Sequence, residues 1–215
     1  MRNYLRTKKL TVLSLFCALT VIASFIRIPV VLFLKYEPKD IFIVTAGFIF
    51  GPAVSLLISL AASFLEMILI SDTGIIGFIM NVIASCSFAC TAAYIYKHHR
   101  SRRGAVTALL IGCVVVTAVM LLWNYLITPI YMGYPREAVA KLLLPVFLPF
   151  NLLKYIINTI IVMLIYKPII TALYRSDMIE DEEENMHSKT VGLIILVLMI
   201  VVTVSLFAMS FTGMV

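Results

Sequence analysis

The sequence predicts an all-α integral membrane protein, a bundle of helices crossing a bilayer, and three observations predict it. Hydrophobic residues make up 62% of the 215 residues and charged residues 13%, against about 45–50% and about 25% in soluble domains. The mean hydropathy is +1.08, more apolar surface than a soluble core of this length can use. The apolar residues also run in long blocks of helix formers, without the alternating polarity that barrel strands need.

The first block follows Arg2, Arg6, Lys8 and Lys9 and spans about 10–28. No small-residue cleavage site follows it, which predicts an uncleaved first span. Its basic flank is expected in the cytoplasm. The next strongly basic loop, residues 97–103, belongs on the same side, so an even number of crossings must separate the two. Only three apolar blocks are visible between them: 10–34, 41–70 and 75–96. The middle one, at 1.5 Å per residue, would be about 45 Å of helix against a hydrocarbon core of about 30 Å. Phe50-Gly51-Pro52 lies within it. Gly suits a helix end and Pro the first turn of the next. The block therefore divides into a short second span, 41–50, and a third, 53–70, which restores the parity of charge.

Span four is expected over 75–96 and span five over 104–128. An external segment with Gly133 and Pro135 covers 131–144, and span six covers 146–166. A charged cytoplasmic linker over 171–190 holds the acidic run Glu180-Asp181-Glu182-Glu183-Glu184, a solvated stretch with no assigned role. A featureless apolar run, 191–211, makes a seventh span that ends outside. The domain reading is a six-span membrane domain over 1–170, the linker over 171–190, and an additional transmembrane helix over 191–215.

Cys17, Cys86, Cys90 and Cys113 all lie in apolar segments with no His or Cys at metal-ligand spacing, so they are read as packing residues and no metal site is expected. His98 and His99 fall in the basic loop and His187 in the acidic tail. An intramembrane enzyme needs a nucleophile–base or metal constellation at one depth, and none is present. No catalytic residues are expected.

Polar groups converge instead on the outer half of the bundle. Asn151, Lys154 and Asn158 stand at i, i+3 and i+7, on one face of span six. A Lys within a span costs roughly 2.5–3.5 kcal/mol to insert and usually faces a cavity or a partner. At the same depth lie the charged connection Lys35-Tyr36-Glu37-Pro38-Lys39-Asp40, Glu66 near the outer end of span three, Asn81 early in span four and Asn124 late in span five. With Phe33, Tyr36, Phe78, Trp123, Tyr125 and Phe150 nearby, they describe a mostly apolar pocket with a few polar groups to fix orientation. Towards the inner half, Ser14 and Ala18 on span one and Ser55, Ser59, Ala62 and Ser63 on span three form small-residue ridges. Such ridges admit close helix approach within the chain or onto a partner.

The order of these features resembles the substrate-binding (S) components of energy-coupling factor (ECF) vitamin transporters, and most of all their riboflavin-specific members. The matching stretches are Tyr36-Glu37-Pro38-Lys39-Asp40, Phe50-Gly51-Pro52, Gly77-Phe78-Ile79-Met80-Asn81, Asn124 and Pro149-Phe150-Asn151-Leu152-Leu153-Lys154. They cover about residues 5–170, six spans with both ends inside. The resemblance implies a six-helix bundle of the S-component type, with the seventh helix as a departure. It further implies a high-affinity riboflavin-binding subunit of an ABC importer in the bacterial plasma membrane, without cofactor. A membrane coupling subunit and two ATP-binding subunits would complete the importer. On this resemblance Asn151 and Lys154 contact the ring edge, and Asn81 and Asn124 the ring edge or ribityl hydroxyls. Tyr36, Lys39 and Asp40 belong to the closing loop, and Phe78 and Trp123 flank the ring. Ser14 and Ala18 match the contact with the coupling subunit, with a serine where the family has the first alanine of a pair.

Two other functions fit the same composition. One is a stand-alone secondary transporter with Glu66 or Lys154 as proton relay. Such carriers often show broken helices in both halves, and only one break is visible here. The other is a purely structural subunit with no small ligand.

Overall fold

The computed structural model describes residues 2–70, 73–133 and 135–175. The expected acidic run and seventh span lie outside the described residues. In chain order the elements are α1 (Arg2–Ser24), β1 (Ile28–Val31), β2 (Leu34–Tyr36), α2 (Lys39–Phe50), α3 (Pro52–Leu69), α4 (Gly74–His98), α5 (Arg102–Met132), α6 (Arg136–Leu142), a π-helical turn (Leu143–Phe147) and α7 (Leu148–Arg175). Among the described residues, five helical stretches are long and apolar enough to cross a membrane: 7–24, 52–69, 74–98, 102–130 and 136–173. The protein is a multi-pass membrane protein, and its described residues are nearly all helical. The twelve residues of α2 make a rod of only about 18 Å.

The break between α2 and α3 falls at Gly51, whose φ of 93° and ψ of 173° suit a residue without Cβ. Pro52 then opens α3, where its missing N–H costs nothing. The two helices fold back closely. A Cβ on Gly47 would lie 2.0 Å from Ser55 Oγ and 2.9 Å from Ala93 Cβ. Ser55, Ser59, Ala62 and Ser63 are all buried, so that small-residue ridge is spent within the chain. The thiols of Cys86 and Cys90 are buried against Ala53, Leu56 and Val82. Towards the end of the bundle that holds the α4–α5 loop, Phe48 stacks on Tyr96 at 4.2 Å and meets Tyr166 edge-on at 5.9 Å.

Four local expectations change. The first helix ends at Ser24 rather than near 28, because Pro29 cannot continue a helix and the apolar residues beyond it enter a strand. The connection between the first two spans, expected only as a compact charged segment, is regular over residues 28–36. It closes as an antiparallel hairpin pairing Ile28 with Tyr36, Pro29 with Lys35 and Val31 with Leu34. Its two-residue tip places Leu32 at φ 52°, which is unusual for a bulky side chain. The external segment 131–144 is mostly helical. Gly133, at φ 67°, closes α5, and α6 leads through the π-helical turn directly into α7. Helix α7 itself runs to Arg175, past the expected boundary at 170.

Candidate ligand-binding site

The hairpin folds over one end of the bundle, where a cavity of about 370 Å³ opens between α3, α4, α5 and α7. Its wall takes Phe33, Leu34, Lys35 and Glu37 from the hairpin side, Arg27 from the turn before it and Glu66 from α3. Helix α4 gives Met80, Asn81 and Ala84; α5 gives Met120 and Asn124; α7 gives Phe150, Asn151, Lys154 and Tyr155. The volume falls in the range of small-molecule sites, about 300–1,000 Å³.

Three amides on this wall have their orientation fixed by protein acceptors. Asn151 Nδ2 donates to the Phe147 carbonyl at 2.8 Å, and Asn124 Nδ2 to the Met120 carbonyl at 2.7 Å. Asn81 Nδ2 donates to Glu66 Oε1 at 3.0 Å. Because carbonyl and carboxylate oxygens accept only, the nitrogen must occupy each of those places. Asn124 Oδ1 accepts from Thr128 Oγ1 at 3.0 Å. The Asn81 and Asn151 oxygens have no partner among the described residues and are the free ends of their amides.

Beneath the hairpin the charges close into a ring. Glu66 accepts from Arg27 Nη2 at 2.9 Å and from Lys39 Nζ at 2.5 Å. Lys39 Nζ also meets Glu37 Oε2 at 2.8 Å. Glu37 Oε1 lies 3.1 Å from Arg27 Nε, near enough for a charge pair though misaligned for a hydrogen bond. The ring therefore holds two cations and two anions, with Glu66 only 1% exposed. Charges taken out of water must be paired in this way. Burial by itself pushes the Glu37 carboxyl up, but Lys39, Lys154 and Arg27 together hold it below its ordinary value. Burial, helped by the charge of Asp40, raises the Tyr36 phenol, which stays a donor and reaches Asn158 Oδ1 at 2.9 Å.

The expected site residues divide into two groups. Asn151, Lys154, Asn81, Asn124 and Glu66 share the cavity wall. Lys39 and Asp40 do not: both are buried in the first turn of α2, behind the wall. Tyr36 belongs to the hairpin but turns to α7. The two aromatics expected to flank a ring, Phe78 and Trp123, do not line this cavity. Phe78 packs edge-on against Phe64 of α3 at 6.3 Å, because the inward stripe of α4 is Gly77, Asn81 and Ala84 and Phe78 lies beside it. Trp123 is 4% exposed in the core, one residue round the helix from Asn124, and its Nε1 has no partner among the described residues. Phe33, Phe150 and Tyr155 are the aromatics that reach the cavity.

Arg27, Glu37 and Tyr155 were not among the expected site residues, although Glu37 lies within and Tyr155 beside a stretch already singled out for its polar groups, and Arg27 stands at the end of the first apolar block. Met80, Ala84 and Met120 carry no signal that separates a pocket wall from a lipid-facing helix. Ser14 and Ala18 both face away from the bundle. Among the described residues, no cluster of His, Cys, Asp and Glu could hold a metal ion.

Residues 8–166 match the family model of the ECF transporter, substrate-specific component. The riboflavin transporter RibU of Staphylococcus aureus (strain TCH60) is 29% identical over 182 residues, spanning 80% of this chain and 96% of that protein. The riboflavin transporter FmnP of Bacillus subtilis (strain 168) is 27% identical over 174 residues, spanning 75% and 92%. A solved structure of the S component of a bacterial ECF transporter aligns with a TM-score of 0.67 at 28% identity, covering 78% of this chain and 98% of that one.

Proposed function

The chain belongs to the substrate-specific components of ECF transporters, and from that premise we propose that it is the riboflavin-binding subunit of an ECF-type importer. It is a transporter component rather than an enzyme, and riboflavin is its cargo rather than a cofactor. The observation that carries the reading is the cavity under the hairpin, walled by Asn81, Asn124, Asn151 and Lys154 among Phe33, Phe150 and Tyr155. A flat ring with polar edges and a polyol chain fits such a wall. Aromatic and aliphatic side chains take the ring faces, while amide oxygens and one ammonium read its donors and acceptors. Asn151 and Lys154 hold the ring edge, and Asn81 and Asn124 the remaining edge or the ribityl hydroxyls.

In this reading the hairpin is the closing element of the site. Glu66 acts from the wall as the anchor of that element, and Tyr36 and Lys39 tie it to α7 and α3. Helix α2 serves as a short sixth crossing whose ends are buried by protein. The basic flanks of α1 and of the α4–α5 loop support a cytoplasmic position for that end of the bundle, with the cavity at the outer face. The binding domain runs through the end of α7, at Arg175. Transport then requires a membrane coupling subunit and two ATP-binding subunits, with Ser14 and Ala18 at the coupling contact. A carrier acting alone is not favoured, because the family and its named relatives support the importer role.

The test is an absorption spectrum of the protein purified in detergent after expression in riboflavin-containing medium. A near-stoichiometric flavin spectrum, with flavin released on denaturation, is the expected result. A colourless protein that also fails to quench the fluorescence of added riboflavin would overturn the assignment.

A further inference from the structure

The charge ring under the hairpin is complete without Lys154, which forms a second buried pair with Asp40. Only one member of that pair meets the cavity. Lys154 is on the wall; Asp40 is 1% exposed in the first turn of α2, behind it. Ser85 on α4 donates to Asp40 Oδ1 at 2.5 Å, which fixes the carboxylate. Oδ2 has no hydrogen-bond partner, although the Lys154 ammonium is 3.8 Å away. A buried carboxylate oxygen without a donor is costly, and that ammonium is the cation facing it. An ammonium has three donors, so one can turn to Asp40 while the others face a ligand. The Tyr155 ring, 5.4 Å from the same nitrogen, closes off another side.

We infer that Asp40 is a positioning residue for ligand recognition: it does not touch the ligand but holds the Lys154 ammonium at the cavity wall, with Ser85 holding Asp40 in turn. The inference rests on the riboflavin reading of the cavity. It moves Asp40 from the closing loop to the support behind the ligand-reading lysine, and it makes the wall cation a two-helix device, α7 supplying the ammonium and α2 its counter-charge.

The experiment is a set of riboflavin titrations on the full chain in detergent. D40N preserves shape and removes charge, whereas D40E preserves charge and changes shape. If Asp40 acts through Lys154, D40N weakens binding about tenfold, the scale of one charged hydrogen bond, and D40E binds more tightly than D40N. In a K154Q background, D40N should then cost less than about twofold, because the two residues act as one unit. D40N binding as well as D40E, or an equal loss from D40N in both backgrounds, would overturn the inference. If K154Q binds too weakly to titrate, the order of D40N and D40E decides alone. Failure of the wild type to bind riboflavin removes the functional reading itself, whereas wild-type binding with an additive pair removes only the positioning role.

Discussion

Arg27 and Glu37 stand at the two feet of the β-hairpin and form an ion pair, Nε to Oε1, at 3.1 Å. The hairpin is thus closed at its base by charge as well as by its ladder. Both feet are then fastened to the bundle, Arg27 through Glu66 of α3 and Glu37 through Lys39 of α2. At the other end, Phe33 at the tip rests on Phe147 of the π-helical turn, with ring centroids 5.9 Å apart. An element held by ions at its base and by one aromatic contact at its tip resists displacement at the base far more than at the tip.

Glu66→Gln should destabilise the whole end of the bundle. The amide would leave Arg27 and Lys39 in the ring with Glu37 as their only carboxylate, and breaking a buried pair costs about 3–5 kcal/mol. The midpoint of thermal unfolding in detergent should fall by many degrees. A midpoint equal to that of the wild type would show that the ring is dispensable.

Glu37 gives the hairpin a dependence on acid. Its folded carboxyl titrates below the ordinary glutamate value, so its contribution to stability is complete above the unfolded value, about 4.3. That contribution is lost as pH falls through the lower, folded value. The gap in unfolding midpoint between wild type and Glu37→Gln should therefore be widest near neutrality and close on acidification below about 4.3. A gap that is constant with pH would mean that the carboxyl charge plays no part.

How far these features were legible in the sequence depends on what each residue signals by itself. The Phe50-Gly51-Pro52 break was readable, since Gly and Pro mark a helix end and start by backbone constraint alone. Asn81, Asn124, Asn151 and Lys154 were readable because a polar group in a span needs a partner or a cavity. The hairpin was not, because its strands are short and the apolar residues 28–34 extend the first apolar block without interruption. Phe78 and Trp123 show the other limit. Aromatic type says nothing of which way a residue faces, and a neighbour in sequence sits about 100° round a helix, so flanking a polar residue does not place a ring in its pocket. Asp40 was expected among loop residues and lies behind the wall because the helix begins two residues earlier than expected, at Lys39 rather than 41.

Lys154→Met should lower riboflavin affinity roughly 10- to 100-fold, the value of one charged hydrogen bond, with the protein still inserted in the membrane. Fluorescence-quench titration reads the affinity and fractionation reads insertion. An unchanged affinity would take Lys154 out of the site.

Gly47→Ala should destabilise the α2–α3 pair by about 1–3 kcal/mol, the usual cost of overpacking. The added methyl would meet Ser55 Oγ at 2.0 Å and Ala93 Cβ at 2.9 Å. Adding Ser55→Ala removes the hydroxyl but leaves Ala93, so a partial recovery of the unfolding midpoint is expected. No loss in the single variant would show that the two helices separate readily at this point.

The last prediction concerns the two small-residue ridges, which the sequence left equivalent. Ser55, Ser59 and Ser63 are buried against the chain's own helices and have no surface left for a partner. Ser14 and Ala18 face outward on α1, beside Leu15 and Ile22, which are 53% and 61% exposed. Small residues on a lipid-facing helix let a second helix approach closely enough for backbone contact, and a leucine at either place would hold the two apart. Because neither residue lines the cavity, Ser14→Leu and Ala18→Leu should bind riboflavin with wild-type affinity. Both should lose co-purification with the coupling subunit. If the pull-down is unaffected while binding is intact, the outward face of α1 meets only lipid, and the coupling contact must be sought on another helix.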